Sequence, residues 1–366
     1  MKRRSYKYIF YFNVFVIVTL LVVINVIFKN SNNGRTDIPV SITTPLLHAE
    51  NVNMSLCQNA KSAVLIDAKS GAVLFEKNAH SRRPMASTTK IMTALAVIEN
   101  APCDKIIKVS PEAQGIEGSS IYLKSGEEIT VLDLLYGLLL ESGNDAATAL
   151  AIGVFGSEEG CVEYMNKRAH GMGLVDTSFE NVHGLDGEKH YTTAYELALL
   201  SKHAMQNSLF REIVSTQNYT TKGENPRYFS NHNRLLYGFE GAVGIKTGYT
   251  SKAGRCLVSA AKFDNEEYIA VTLSDPLDWN DHKEMHTYGF ENFDSIEIAN
   301  AENFVIVSDF SMYVPAESVY VTISGKGNFV LDYKTEISGD TGKVEFYALG
   351  NRLGRFGITK KESDGG

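Results

Sequence analysis

The chain has 366 residues, of which 44% are hydrophobic and 21% charged. This length and balance predict a folded protein with more than one domain and exclude a disordered chain. The net charge of −8 argues against nucleic acid as the main partner. The four cysteines are too scattered for a CxxC metal pattern or a dense disulfide framework. We therefore expect unpaired cysteines, with a single bridge as the alternative.

The first 29 residues predict a membrane segment. Four basic residues flank or precede an apolar stretch from Tyr8 to Phe28, which is long enough to cross a bilayer. The basic flank is expected in the cytoplasm and the rest of the chain outside it. We interpret the segment as an uncleaved anchor, because no small-residue cleavage site follows it directly. Removal as a signal peptide, with cleavage near Ala49, is the alternative. Residues 30–59 are polar and predict a linker.

Residues 60–294 predict an α+β domain in which helices surround an antiparallel sheet. Two short apolar runs, 64–66 and 72–75, predict a hairpin. Helical spacing follows in 91–98, and the long apolar stretch after residue 128 predicts two buried helices that are interrupted at Ser142. Strand patterns dominate from Gly241 to Leu273, and a helix closes the domain.

Residues 295–358 predict a small all-β domain, since four short strand patterns occur there with turn residues between them. Residues 359–366 predict a polar tail. The chain end, "NRLGRFGITKKESDGG", has no apolar face large enough to bind a membrane, so attachment is expected through the N-terminal segment.

The first motif with chemical content is "STTK", in which Ser87 and Lys90 are three residues apart. If both lie in the first turn of a helix, they share one face and the amine reaches the hydroxyl. Lysine accepts a proton at neutral pH only when burial or a second cation lowers its pKa. The motif alone is more typical of a capped, solvated helix start than of a catalytic pair.

Two further motifs change this balance. Ser142-Gly143-Asn144 lies at the break between two apolar helices, where a loop can present a hydroxyl and an amide to a cleft. Lys246-Thr247-Gly248 follows an apolar strand, and its glycine allows a substrate backbone to approach closely. By itself, the first is more typical of a helix end followed by an Asn cap, and the second is also typical of an ordinary strand end. Together and in this order, the three form the motif set of penicillin-binding proteins and class A β-lactamases.

The chain resembles the low-molecular-weight penicillin-binding proteins, serine-type D-alanyl-D-alanine carboxypeptidases of peptidase family S11. The resemblance covers about residues 62–293, through blocks such as "MASTTKIMTALAVIE", "TSFENVHGLDGEKHYTTAYELA" and "GIKTGYTSKAGRCLVSAA". It implies a penicillin-binding-protein/β-lactamase-like domain that acts on peptidoglycan stem peptides in cell-wall maturation. It implies that β-lactams are covalent inhibitors and that no cofactor is needed.

The resemblance also implies the role of each motif residue. Ser87 is the expected nucleophile, Lys90 its base, and Ser142 the group that relays a proton to the departing amine. Asn144 is expected to hold the substrate amide and help fix Lys90. The remaining expected substrate-binding residues come from one strand, with Lys246 and Thr247 attracting the terminal carboxylate and the Tyr249 N–H joining that of Ser87 in an oxyanion hole: Lys246, Thr247, Gly248 and Tyr249.

Several positions depart from the family pattern. Relatives often carry a basic residue before the "YGF" block, and whether Arg255 or His282 assists carboxylate binding here is left open. His183 and His190 are expected to be structural. His282 and His286 have a spacing that can bind zinc, but no third ligand is evident, so no metal site is expected.

Three alternative functions share these motifs. A class A β-lactamase would need an ExxLN loop for its deacylating water, and this chain has Glu180 without that pattern. We therefore expect penicillin to remain bound. A noncatalytic β-lactam sensor or peptidoglycan-tethering module would keep the nucleophile but release no D-alanine. An endopeptidase acting on cross-links would use the same groups.

Overall fold

The structure is a computed structural model that describes residues 41–42, 56–222, 226–309, 311–324, 331–348 and 351–361. The predicted membrane segment and most of the predicted linker lie outside these residues. Within the described part of the chain, no helix is both long and apolar enough to span a bilayer. The chain divides into two compact units. The larger comprises 43–296 and 320–326, and the smaller comprises the described parts of 1–42, 297–319 and 327–366.

The larger unit is built on a five-stranded antiparallel sheet, as predicted. Its strands lie in the order β2 (Val73–Lys77), β1 (Ser62–Asp67), β9 (Glu266–Leu273), β8 (Gly254–Phe263) and β7 (Ala242–Thr250), so the N-terminal hairpin packs beside the C-terminal strands of the unit. Among the described residues of this unit, two short antiparallel strand pairs lie outside the sheet: Ile106–Lys108 with Glu128–Thr130, and Asn218–Thr220 with Tyr228–Ser230. The strands of the unit are β1 Ser62–Asp67, β2 Val73–Lys77, β3 Ile106–Lys108, β4 Glu128–Thr130, β5 Asn218–Thr220, β6 Tyr228–Ser230, β7 Ala242–Thr250, β8 Gly254–Phe263 and β9 Glu266–Leu273.

Helices cover the sheet and begin where the sequence supplies caps. Thr130 accepts a hydrogen bond from the Asp133 N–H, and Thr193 accepts one from the Glu196 N–H. Gly156, with a φ of 84°, ends the third helix in the left-handed conformation that glycine favours. The helices are α1 Lys90–Asn100, α2 Val131–Leu139, α3 Asn144–Phe155, α4 Glu158–Gly171, α5 Ala194–Gln206, α6 Ser208–Ser215, α7 Leu235–Gly238 and α8 Asp278–Asn292.

The C-terminal region is all β in its described residues, as predicted, but it has more strands than the four expected. In the smaller unit the strands lie in the order β11 (Ile306–Ser308), β12 (Ser311–Pro315), β16 (Asn351–Lys360), β15 (Thr341–Ala348) and β14 (Leu331–Ser338), and Ser41–Ile42 also pairs with β16. The last strand continues past the predicted end of the domain at 358. Its glycines conceal the alternation that buries Leu353, Phe356 and Ile358. The strands are β10 Phe293–Ala299, β11 Ile306–Ser308, β12 Ser311–Pro315, β13 Val319–Ser324, β14 Leu331–Ser338, β15 Thr341–Ala348 and β16 Asn351–Lys360.

Candidate active site

Ser87 and Lys90 meet at the start of α1, as the spacing predicts. A short 3-10 turn, Ala86–Thr89, carries Ser87 and leads directly into α1, whose first residue is Lys90. Lys90 Nζ lies 2.9 Å from Ser87 Oγ. The Lys90 side chain is fully buried, so it is not a solvated surface lysine. The structure therefore places an amine within hydrogen-bonding distance of a potential nucleophile.

The break between α2 and α3 brings the second motif to the same place. Ser142 is nearly buried and has a φ of 64°, a left-handed conformation that is uncommon outside glycine. Asn144 is the first residue of α3, and its Oδ1 accepts a hydrogen bond of 2.6 Å from Lys90 Nζ. Asn144 Nδ2 donates to the Glu117 carbonyl, which fixes the orientation of the amide. The expectation that Asn144 helps hold Lys90 agrees with this geometry.

The third motif lies on β7, beside the Ser87 turn. A Cβ atom added to Gly248 would approach the Ser87 backbone nitrogen to 2.9 Å, so only glycine allows this close approach. Lys246 is buried, and its Nζ donates to the Thr247 carbonyl at 3.0 Å. The strand therefore places a second cation behind the cavity wall.

Burial and charge both favour a neutral Lys90. Removal from water lowers the pKa of Lys90 well below its ordinary value, the nearby Lys246 lowers it further, and Asp145 opposes these effects. Burial also lowers the pKa of Lys246, to about 7. Lys90 can therefore accept a proton near neutral pH, which an exposed lysine cannot do. Burial is the larger cause of the lowered Lys90 pKa, and the nearby Lys246 is the smaller one.

These residues surround a cavity of about 460 Å³. Ser87, Ser142 and Asn144 line it together with Thr247, Gly248 and Tyr249. Lys90 and Lys246 lie behind the lining. Because Lys246 does not line the cavity, it can attract a substrate carboxylate through its electrostatic field but not by direct contact. Six of the eight predicted site residues form the wall, and the two lysines support it.

Charged groups that the motifs do not contain also line the cavity. Arg255 donates from Nε and from one terminal nitrogen to the two Asp278 carboxylate oxygens, at 3.1 and 2.7 Å. Arg234 lines the same cavity, as does Trp279. Sequence reasoning left Arg255 open and missed Arg234, which stands at the start of α7 in "NHNRLL". Arg255 could have been identified from the strand register, because it pairs with Tyr249 on the strand that carries the third motif.

His282 does not reach the cavity. It is fully buried, and the Ser259 hydroxyl lies 2.6 Å from His282 Nδ1 and 2.7 Å from His286 Nε2. The Thr272 hydroxyl lies 3.0 Å from His282 Nε2. Among the described residues, no cluster of His, Cys, Asp and Glu side chains is arranged to hold a metal ion. Both histidines therefore contact the Ser259 hydroxyl within the core.

The loop that carries His183 and His190 closes over the nucleophile turn. His190 Nε2 lies 2.8 Å from the Thr89 hydroxyl, which is a structural contact, as expected. His183 lines the cavity, and its carbonyl oxygen accepts a hydrogen bond of 2.6 Å from Lys90 Nζ. Glu180 accepts a hydrogen bond from the Lys189 N–H within the loop and is not part of the cavity wall. Sequence reasoning did not identify the His183 carbonyl, because a backbone atom leaves no residue signature.

This fold and the convergence of the three motifs define an active-site serine protein of the penicillin-binding class. Residues 49–276 match the Peptidase S11 family model, described as D-alanyl-D-alanine carboxypeptidase. The chain belongs to this family.

Relatives and a solved structure agree with this assignment. D-alanyl-D-alanine carboxypeptidase DacF of Bacillus subtilis is 40% identical over 225 residues, covering 60% of this chain and 58% of the relative. D-alanyl-D-alanine carboxypeptidase DacC of Escherichia coli is 36% identical, covering 65% of this chain and 63% of the relative. The chain thus matches less than two thirds of the length of these two proteins. Penicillin binding protein 5 of Haemophilus influenzae has a TM-score of 0.75 and 25% identity, covering 86% of this chain and 99% of that one.

Proposed function

We propose that the protein is a serine-type D-Ala-D-Ala carboxypeptidase, which removes the terminal D-alanine from peptidoglycan pentapeptide stems through an acyl-enzyme on Ser87. The observation that carries this proposal is the buried Lys90 amine, 2.9 Å from Ser87 Oγ and 2.6 Å from Asn144 Oδ1. Family membership supports the substrate class. The products are D-alanine and a shortened stem, as cell-wall maturation requires.

The proposed reaction has two halves. Ser87 Oγ attacks the carbonyl between the two alanines while its proton moves to Lys90 Nζ. The C–N bond breaks as the departing amine takes up this proton, which passes from Lys90 through Ser142. Water then adds to the ester and gives a proton to Lys90, which passes it to Ser87 Oγ as the ester C–O bond breaks. The N–H groups of Ser87 and Tyr249 stabilise the oxyanion that develops in each half.

Recognition of the terminal carboxylate is proposed for the cavity wall rather than for Lys246 directly. Thr247 offers a hydroxyl, and Arg255 and Arg234 offer guanidinium groups. Asp278 balances one of these two positive charges, so a substrate carboxylate balances the other.

We expect replacement of Arg234 by Gln to weaken hydrolysis of a free-acid peptide more than that of its C-terminal amide. Equal losses for both peptides would contradict this role. Arg227→Gln is the control, because Arg227 is bound to Glu127.

Release of D-alanine from a pentapeptide that ends in D-Ala-D-Ala tests the main proposal. Wild type should release it and Ser87→Ala should not. A wild-type protein that forms a penicillin adduct but releases no D-alanine would instead be a sensor.

β-Lactams are proposed to be inhibitors that stay bound. Glu180 is held by the Lys189 N–H and is absent from the cavity wall, so the wall contains no counterpart of the deacylating glutamate of class A β-lactamases among its described residues. The acyl-enzyme formed by penicillin should therefore persist. Rapid hydrolysis of penicillin by the purified protein would show a β-lactamase instead.

The protein is further proposed to work on the outer face of the cell membrane, held by the apolar segment from Tyr8 to Phe28. The sequence supports this proposal through the length of the segment and its basic flank. Fractionation of the native host should find the full-length protein in the membrane. Recovery of an N-terminally trimmed protein from the medium would favour the signal-peptide alternative.

A further inference from the structure

The Lys90 amine has a third oxygen neighbour, which lies outside the three motifs. Lys90 Nζ is 2.6 Å from Asn144 Oδ1, 2.6 Å from the His183 carbonyl oxygen and 2.9 Å from Ser87 Oγ. A neutral amine has two N–H bonds and one lone pair. When Asn144 and His183 accept the two N–H bonds, the lone pair is left facing the Ser87 hydroxyl. The His183 carbonyl therefore helps to aim the base.

The backbone next to this carbonyl is held from two sides. On α1, the Thr93 hydroxyl donates to the Val182 carbonyl at 2.7 Å. On α4, burial raises the pKa of the Glu158 carboxyl group, and hydrogen bonding by the Val182 N–H opposes this effect. Glu158 also accepts a hydrogen bond of 3.3 Å from the Thr148 hydroxyl. Both polar groups of Val182 are thus fixed, which sets the position of the carbonyl that follows.

Glu158 also faces the His183 ring. Its Oε1 lies 3.6 Å from His183 Nε2. The opposite ring nitrogen, Nδ1, accepts a hydrogen bond of 3.3 Å from the Leu185 N–H. The ring is therefore neutral, with its proton on Nε2, directed toward the carboxylate. Glu158 does not line the cavity, so any effect on the reaction must pass through this loop.

We propose that Glu158 is a positioning residue that holds the His183 carbonyl on the Lys90 amine through the Val182 backbone and so directs the lone pair of Lys90 toward Ser87. The inference rests on the proposed acylation chemistry. A misplaced reacting group of this kind costs about a hundredfold in rate. Substrate binding, in contrast, depends on the cavity wall, of which Glu158 is not a part.

The test measures penicillin acylation of the full-length protein and separates the noncovalent dissociation constant from the acylation rate constant. Glu158→Ala should lower the rate constant roughly ten- to a hundredfold and leave the dissociation constant nearly unchanged. Glu158→Gln keeps an acceptor for the Val182 N–H and should retain most of the rate. Glu159→Ala is the matched control, because Glu159 is exposed on the same helical turn.

A second variant keeps the test decisive if Glu158→Ala does not fold. Thr93→Val removes the opposite hydrogen bond to Val182 and should give the same lowered rate constant. The inference would be overturned if a folded Glu158→Ala or Thr93→Val variant kept the wild-type acylation rate constant. It would also be overturned if Glu158→Ala and Glu158→Gln lowered the rate constant equally, or if only the dissociation constant changed. Absence of acylation in the wild-type protein would overturn the proposed function itself, and the inference with it.

Discussion

Two buried lysines determine the chemistry at the scale of single residues. Lysine is rarely buried unless it is paired, because its charged form loses hydration. Lys90 and Lys246 are both almost inaccessible to water, and burial lowers the pKa of each. The cost of burying them is the physical reason that Lys90 can act as a base. A surface lysine in the same motif would stay protonated.

Replacement of Lys90 by Ala should leave the fold intact and reduce acylation of Ser87 at least about a hundredfold, since a general base contributes this much or more. Labelled penicillin measures the acylation, and the melting temperature monitors the fold. Lys105→Ala is the control, because the exposed Lys105 side chain donates to the Gly153 carbonyl and is not part of the cavity wall. Normal acylation of the Lys90 variant would show that another group takes the Ser87 proton.

Replacement of Lys246 by Gln should move the pH dependence of acylation upward. Lys246 lowers the pKa of Lys90, so its removal makes the protonated form of Lys90 easier to keep. Lys90 then needs a higher pH to become neutral, and the midpoint of the rate rises. Acylation rates measured between about pH 5 and pH 10 give the midpoint of the pH dependence. An unchanged or lower midpoint in the variant would contradict the electrostatic role of Lys246.

At the scale of structural elements, the loop around Gly184 packs tightly against the turn that carries Ser87. Gly184 has a φ of 98°, and an added Cβ atom would approach the Ala86 carbonyl oxygen to 2.1 Å and the Ser87 nitrogen to 2.8 Å. Neither contact can be relieved by rotating a side chain, since both atoms belong to the backbone. The loop and the nucleophile turn must therefore move apart to accept any larger residue.

We expect Gly184→Ala to lower the acylation rate about a hundredfold, because it displaces Ser87 from Lys90. Gly173→Ala is a matched control. Gly173 also has a positive φ, of 78°, but an added Cβ atom there meets nothing within 4 Å. This control should lose about 1 kcal/mol of stability through backbone strain and keep its acylation rate. Equal effects of the two substitutions on the rate would contradict the packing argument.

At the scale of the whole molecule, buried carboxyl groups set the pH dependence of stability. Burial raises the pKa of Asp281 to about 7, and the neighbouring Asp275 carboxylate, which is hydrogen-bonded to it, adds to this effect. A raised pKa in the folded state means that the folded protein holds its proton more tightly than the unfolded chain. The stabilisation is complete below about pH 4, is lost as the pH rises, and is gone above about pH 7.

Replacement of Asp281 by Asn should remove this pH dependence while keeping a hydrogen-bonding group. The free energy of unfolding of the variant, relative to wild type, should increase between pH 4 and pH 8 by about 1 to 2 kcal/mol, because solvent screening and the interaction with Asp275 reduce the 1.4 kcal/mol that corresponds to each pKa unit. Urea unfolding at a series of pH values measures it. Glu291→Gln, an exposed position on the same helix, should show no such trend. A constant difference across the range would contradict the raised pKa of Asp281 in the folded protein.

The sequence by itself determined the fold class and the three motifs, because both depend on local information. Hydrophobic periodicity specifies which face of an element is buried, and the spacing of Ser87 and Lys90 fixes their distance within one helical turn. The glycines of the last strand show the limit of this approach, since they interrupt the apolar alternation of β16.

Only the tertiary structure decided what surrounds the motif residues. Burial, which lowers the pKa of Lys90, requires the sheet, the helices and the loop to close around it. The Arg255–Asp278 pair joins β8 to α8, and the His183 carbonyl reaches Lys90 across 93 positions of sequence. These contacts depend on long-range packing and, for the carbonyl, on a backbone atom that every residue possesses. No local pattern can report them.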